Sequence, residues 1–188
     1  MNNGTKLSTN IKQIGEIFMI KPKKNVFVLI GPSGSGKSTF TKKIPEAVVF
    51  SWDQLRLAWY GSHPSSLQEQ YRSAFEASTK DKEFSNKANA AFTKLIKECE
   101  GKKDIIVDNT NLSTKRRRFF VDMARQHGYR VTAVLFPVSV DVLKRRNESR
   151  PDKHLPPEVI DQQYKSLQQP LKGEFDVILH SVINLDCA

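Results

Sequence analysis

Two cysteines, Cys99 and Cys187, are too few and too far apart to build a disulfide framework or a zinc site. That usage suits a reducing compartment, so the expected location is the cytoplasm, or a host's cytoplasm for a viral protein. Long hydrophobic runs are missing too. Nothing approaches the roughly 18 apolar residues of a membrane span. The polar stretch Met1–Asn10 has no apolar core, so no secretion signal is expected there. His63, His127, His154 and His180 are scattered without metal-binding spacing and are expected to be structural. Acidic residues are scarce against basic ones: 20 Asp and Glu face 30 Lys and Arg, a net charge of +10. Such an excess favours polyanionic partners, nucleic acid first, although generic solubility explains it equally well. No repeat and no low-complexity tract interrupts the 188 residues, which suffice for one domain with a real core.

What the chain does have is Gly31-Pro32-Ser33-Gly34-Ser35-Gly36-Lys37-Ser38. Two glycines four residues apart, followed by Lys and Ser, fit the phosphate-binding loop. Val26–Ile30 before it reads as a buried strand, and Thr39–Ile44 after it as the first turns of a helix. The glycines allow turns that a Cβ opposes, so successive N–H groups can point at phosphate oxygens. Lys37 is expected to reach the β and γ phosphates, and the Ser38 hydroxyl to sit on Mg²⁺.

Beyond the loop, strand and helix signals alternate. Ala47–Phe50, Ile105–Val107, Arg130–Pro137 and Asp176–His180 read as strands, and 181–185 as a continuation or a further strand. Gln54–Tyr60, Leu67–Ser78, Lys82–Glu100, a segment from the Ser113 cap to about Gln126, Val140–Asn147 and a segment from Pro157 to near Pro170 read as helices. Residues 1–24 read as an extension before a domain of 25–188, with Ile11, Ile14, Ile17 and Phe18 at helical spacing. The alternation predicts an α/β fold, a parallel sheet flanked by helices, with ligands beyond the carboxyl ends of its strands.

Three further clusters carry chemistry. Asp53 follows the second strand and suits a general base that takes a proton from an attacking hydroxyl. Arg56, three residues on, shares its helical face and suits an anionic group of the acceptor. The plainer alternative is a helix cap with a solvated Arg56. Asp108-Asn109-Thr110-Asn111 ends the third strand, where a carboxylate can hold Mg²⁺ or hydrogen-bond Ser38; a turn with a helix cap is the alternative. Lys144-Arg145-Arg146-Asn147-Glu148-Ser149-Arg150 leads into the loop Pro151–Pro157 and reads as a cationic lid, with Arg146 and Arg150 on one face if the helix continues. Lys115–Arg118 reads as a solvated basic face. Trp52, Trp59 and Tyr60 read as core aromatics, with stacking on an acceptor base as the alternative.

Together these segments resemble the kinase domain of 5′-polynucleotide kinases of phage and mammalian types. Gly31–Thr39 matches that family's phosphate loop, and Asp53-Gln54-Leu55-Arg56 its general-base aspartate and acceptor arginine. Asp108-Asn109-Thr110-Asn111-Leu112 is similar to its second acidic motif, and Arg146-Asn147-Glu148-Ser149-Arg150 to its lid. The resemblance spans about Asn25 to Leu171 and implies a P-loop kinase fold, adenylate-kinase-like, with an arginine lid. It implies γ-phosphate transfer from ATP, with Mg²⁺, to 5′-hydroxyl ends of DNA or RNA. Lys37, Asp53, Arg56 and Arg150 would be catalytic. Gly31 through Thr39, Arg146 and Arg150 would hold nucleotide, and Ser38 and Asp108 the metal. The phage type carries its second aspartate where Asn109 stands, and Asp108 is favoured here. No Asp-x-Asp-x-Thr phosphatase signature and no ligase motif is visible. A small-molecule kinase acting on a nucleoside, sugar or antibiotic is the alternative, and a nucleotide-dependent switch a third.

Overall fold

The computed structural model describes residues 24–61, 66–150 and 153–181. The expected extension, apart from Lys24, lies outside these residues, as do His63, Pro64, Pro151 and the stretch after Ser181. Five strands form one sheet: β1 (Asn25–Ile30), β2 (Val48–Phe50), β3 (Ile105–Val107), β4 (Arg130–Leu135) and β5 (Val177–His180). Their order is β2-β3-β1-β4-β5, and every neighbouring pair is parallel. All five carboxyl ends therefore open on one edge. The chain leaves β1 toward β2 but leaves β3 toward β4, so the crevice of this sheet lies where β1 and β3 adjoin.

The alternation of side chains along the strands builds two layers. Val26, Val28 and Ile30 of β1, with Ile105 and Val107 of β3, face one core that holds Phe92, Ile96, Phe120 and Ala124. Leu29, Ile106 and Val134 face the other side, covered by Phe40, Ile44 and Ala47. Seven helices are formed by the described residues: α1 (Lys37–Thr41), α2 (Trp52–Tyr60), α3 (Leu67–Lys80), α4 (Phe84–Cys99), α5 (Thr114–Gln126), α6 (Val140–Glu148) and α7 (Pro157–Lys165). In α4 the buried residues Phe84, Ala88, Phe92, Ile96 and Cys99 recur every three or four positions, the stripe of a helix with one covered face. Among the described residues no helix is long and apolar enough to cross a membrane.

Several boundaries differ from the sequence reading. The helix after the loop is a five-residue piece, Lys37–Thr41, followed by turns rather than a helix through Ile44. Helix α7 stops at Lys165, not near Pro170, and β4 at Leu135, not Pro137. Helix α6 ends at Glu148, so Arg150 lies past its end and does not share a helical face with Arg146.

The basic run 115–118 is corrected most sharply. Arg117 is fully buried, not solvated. Its guanidinium forms a forked pair with Glu174, Nε to Oε1 at 2.6 Å and Nη2 to Oε2 at 3.0 Å. Nη1 also donates to the carbonyls of Asn111, Leu112 and Gln168. A buried guanidinium is tolerated because nearly every donor has an acceptor.

Candidate active site

The loop after β1 is folded by local demands. Gly34 and Gly36 adopt φ of 81° and 100°, the left-handed region that a Cβ opposes. A Cβ on Gly31 would meet the Ser35 hydroxyl at 2.7 Å and Phe136 at 3.1 Å, so any side chain there would have to displace buried Ser35. The Gly31 amide donates to the Thr110 carbonyl at 3.0 Å, which fastens this loop to the one after β3. Asn111 completes the joint. It is buried with φ 48°, and its Nδ2 donates to the carbonyl of Leu29 at 2.7 Å. Asparagine tolerates that backbone conformation better than most residues.

Lys37 points back into the loop. Its ammonium donates to the carbonyls of Gly31 (2.9 Å) and Pro32 (2.7 Å), and only 9% of the residue is exposed. Burial lowers its pKa to about 8, offset in part by Asp108 and deepened by Lys153. Ser38 follows, its hydroxyl 3.5 Å from Asp108 Oδ2. Burial pushes the Asp108 carboxyl up, against the pull of Lys37. The Asp108 amide donates to the Phe50 carbonyl, so β2 and β3 stay paired up to the site. Asn109 does not face the loop as a ligand; its Oδ1 accepts from the Trp52 amide at 2.9 Å and ties β3 to the start of α2.

Asp53 is the second helical residue of α2, and Ser51 is the cap, so the capping alternative for Asp53 does not hold. Arg56 Nη1 donates to Asp53 Oδ1 at 2.8 Å, as their spacing predicts. The guanidinium is not solvated. It lies over the rings of Phe84 (4.9 Å), Phe75 (5.2 Å) and Trp52 (5.9 Å), and its Nε donates to the Ser78 hydroxyl. Trp52, Trp59 and Tyr60 all pack with Phe84, and Trp59 keeps 42% of its surface exposed.

The other oxygen of Asp53 meets a residue the sequence reading did not single out. Lys153, from the loop between α6 and α7, donates to Asp53 Oδ2. Burial would push the Asp53 carboxyl up, but Lys153 and Arg56 together hold it below its ordinary value. A hundred residues separate Lys153 from Asp53, so no local signal marked the pair. Asn147 fixes the approach: its side chain donates to the Leu155 carbonyl at 2.7 Å and accepts from the Leu155 amide at 3.0 Å. Of the two arginines expected in a lid, Arg146 donates to the Gly34 carbonyl at 3.4 Å, and the charge of Arg150 acts on Lys37. A further missed contact joins α7 to the loop, where Gln163 Oε1 accepts from the Ser33 amide at 2.8 Å.

Lys37, Ser38, Asp53, Asp108, Arg146, Arg150 and Lys153 thus gather at one edge of the sheet. The model of the AAA domain family matches residues 26–170. The chain belongs to that family. Its sheet is that of a P-loop kinase, and the relatives that match it are kinases, phosphotransferases by name. The "Putative bifunctional polynucleotide kinase/RNA ligase" of Autographa californica nuclear polyhedrosis virus is 31% identical over 176 residues. The match covers 92% of this chain and 25% of the relative, so the chain spans about a quarter of that protein's length. The "Probable gluconokinase" of Schizosaccharomyces pombe (strain 972 / ATCC 24843) is 27% identical over 169 residues, 87% of this chain and 83% of that protein. A solved gluconokinase from Sinorhizobium meliloti 1021 shares the fold, with a TM-score of 0.55 at 21% identity, covering 86% of this chain and 85% of its own.

Proposed function

We propose that the chain is a polynucleotide 5′-hydroxyl kinase that moves the γ-phosphate of ATP to 5′-hydroxyl ends of DNA or RNA, in the context of end repair. The observation that carries this reading is Asp53, a carboxylate held ionised beside Arg56 at the same sheet edge as Lys37. Similarity to the viral kinase/ligase supports a nucleic-acid acceptor, as does the charge of +10.

In this reading the acceptor oxygen attacks the γ-phosphorus while Asp53 takes its proton. The new O–P bond forms as the bond from the γ-phosphorus to the bridging oxygen breaks, and the electron pair leaves with ADP. Lys37 exchanges the carbonyls of Gly31 and Pro32 for phosphate oxygens. Arg146 and Arg150 spread positive charge over the transferring group from the lid, and Arg56 holds an anionic group of the acceptor. Ser38 and Asp108 suit Mg²⁺. They are hard oxygen donors 3.5 Å apart, and among the described residues no group of three or more His, Cys, Asp or Glu stands ready for a metal. One carboxylate and one hydroxyl fit an ion held mostly by phosphates and water. When bound, that ion neutralises charge on the phosphates.

Similarity to the gluconokinase over most of both chains favours a second reading, a sugar-acid kinase, in which Arg56 would hold the acceptor's carboxylate. Label transfer from γ-labelled ATP separates the two. Offered a 5′-hydroxyl oligonucleotide and gluconate together, the protein is expected to label the oligonucleotide. Labelled gluconate and an unlabelled oligonucleotide would overturn the proposal.

A further inference from the structure

Both oxygens of Asp53 are held by cations, and the two cations are mounted differently. Arg56, on Oδ1, is wedged among Trp52, Phe75 and Phe84 and bonded to Ser78. It cannot leave without vacating a packed slot. Lys153, on Oδ2, stands at the end of a flexible stem on a loop, with its ammonium 5.6 Å from the Tyr71 ring on α3. Asn147 pins that loop through both polar groups of Leu155, and its carbonyl lies 3.1 Å from His154 Nδ1. The backbone is thereby fixed next to Lys153 while the ammonium can swing.

The carboxylate is not sealed off. Its side chain is 38% exposed and that of Lys153 is 22% exposed, so water reaches the place where an acceptor hydroxyl would dock. Charged groups face Asp53 from every side of the cleft: Arg56 on α2, Lys153 on the α6–α7 loop, Asp108 after β3 and Lys37 on α1. A carboxylate beside a bound triphosphate and open to water is a base for hydrolysis as well as for transfer. In hydrolysis a water oxygen bonds to the γ-phosphorus, the bond to ADP breaks, and the water's proton passes to the carboxylate and then to solvent. The outcome depends on what occupies Oδ2.

We propose that Lys153 is a latch on the acceptor base: it occupies Asp53 Oδ2 until an acceptor hydroxyl replaces it, and so restrains the enzyme from spending ATP on water. Lys153 is thus a positioning residue that acts through Asp53. The inference rests on reading Asp53 as the base, but not on which acceptor the enzyme uses.

The test is phosphate release from ATP without any acceptor, together with the affinity for a non-hydrolysable ATP analogue. Lys153→Ala and the near-isosteric Lys153→Gln are expected to raise hydrolysis by about tenfold or more, with the ~10²–10⁴-fold contribution of a positioned base as the upper bound. Their analogue affinity should stay near wild type. Lys153→Arg restores the cation and should keep hydrolysis low. Adding Asp53→Asn to Lys153→Ala should abolish the gain. Hydrolysis unchanged or reduced in both Lys153→Ala and Lys153→Gln, or a gain that survives Asp53→Asn, would overturn the latch. Because no acceptor is present, failure of oligonucleotide labelling would leave the latch standing. Failure of the latch would leave the acceptor assignment standing.

Discussion

Lys37 rests on its own loop's carbonyls, and burial there brings its pKa to about 8. A bound triphosphate reverses that cost, because negative charge beside the ammonium favours the protonated form. At pH 8 about half of the free enzyme therefore carries a neutral Lys37, and ATP binding should take up about half a proton. Calorimetry in buffers of different ionisation enthalpy measures this directly; no uptake at pH 8 would contradict the burial argument. Asp53 moves the other way. With Lys153 and Arg56 holding it low, it stays ionised below the ordinary carboxylate range, and if Asp53 is the base, activity should be lost only as pH falls through that depressed value. The acid limb of kcat/KM for the acceptor should thus lie below ~4, the ordinary aspartate value. At this scale the sequence was informative where chemistry is local. The loop glycines and the Asp53–Arg56 spacing follow from neighbours in the chain. Lys153 and Gln163 could not be found that way, since each meets its partner only after the sheet and lid have assembled.

Helix α5 shows what an element can hide. Arg117 lies on the same stripe as Phe120, Val121 and Ala124, at offsets of three, four and seven, and all four are buried. The spacing was in the sequence, but a run of four cations reads as a wet surface, and charge overrode periodicity. The forked Arg117–Glu174 pair joins α5 to the segment after α7 and braces the carbonyls of Asn111 and Leu112 behind the second acidic motif. Removing one partner leaves a buried charge uncompensated, so Glu174→Gln should lower stability by about 3–5 kcal/mol in urea unfolding. A loss under about 1 kcal/mol would mean that the pair is wetter than its geometry implies. The segment expected to form a lid is an element of a different kind. Its helix stops at Glu148, and its loop is shaped by Asn147 rather than by helical continuation. That is why the four-residue spacing of Arg146 and Arg150 misled.

Across the whole molecule, strand alternation and the phosphate loop were enough to foresee a parallel sheet whose strands all end at one edge. The strand order was not legible, because it depends on which long-range pairings bury the most apolar surface. The net charge of +10 makes a claim of its own. If the acceptor is a polynucleotide, its KM should climb with salt, with a log–log slope of about 2 to 4 for a few neutralised phosphates. A neutral small acceptor would show almost none. In the proposed reaction Asp53 takes the acceptor's proton while Lys37 holds the phosphate. Asp53→Asn keeps the side chain's shape and removes that base. Single-turnover transfer from ATP to a 5′-hydroxyl oligonucleotide should then fall by about 10²–10⁴-fold, with ATP affinity close to wild type. Transfer at near wild-type rate by that variant would contradict the account.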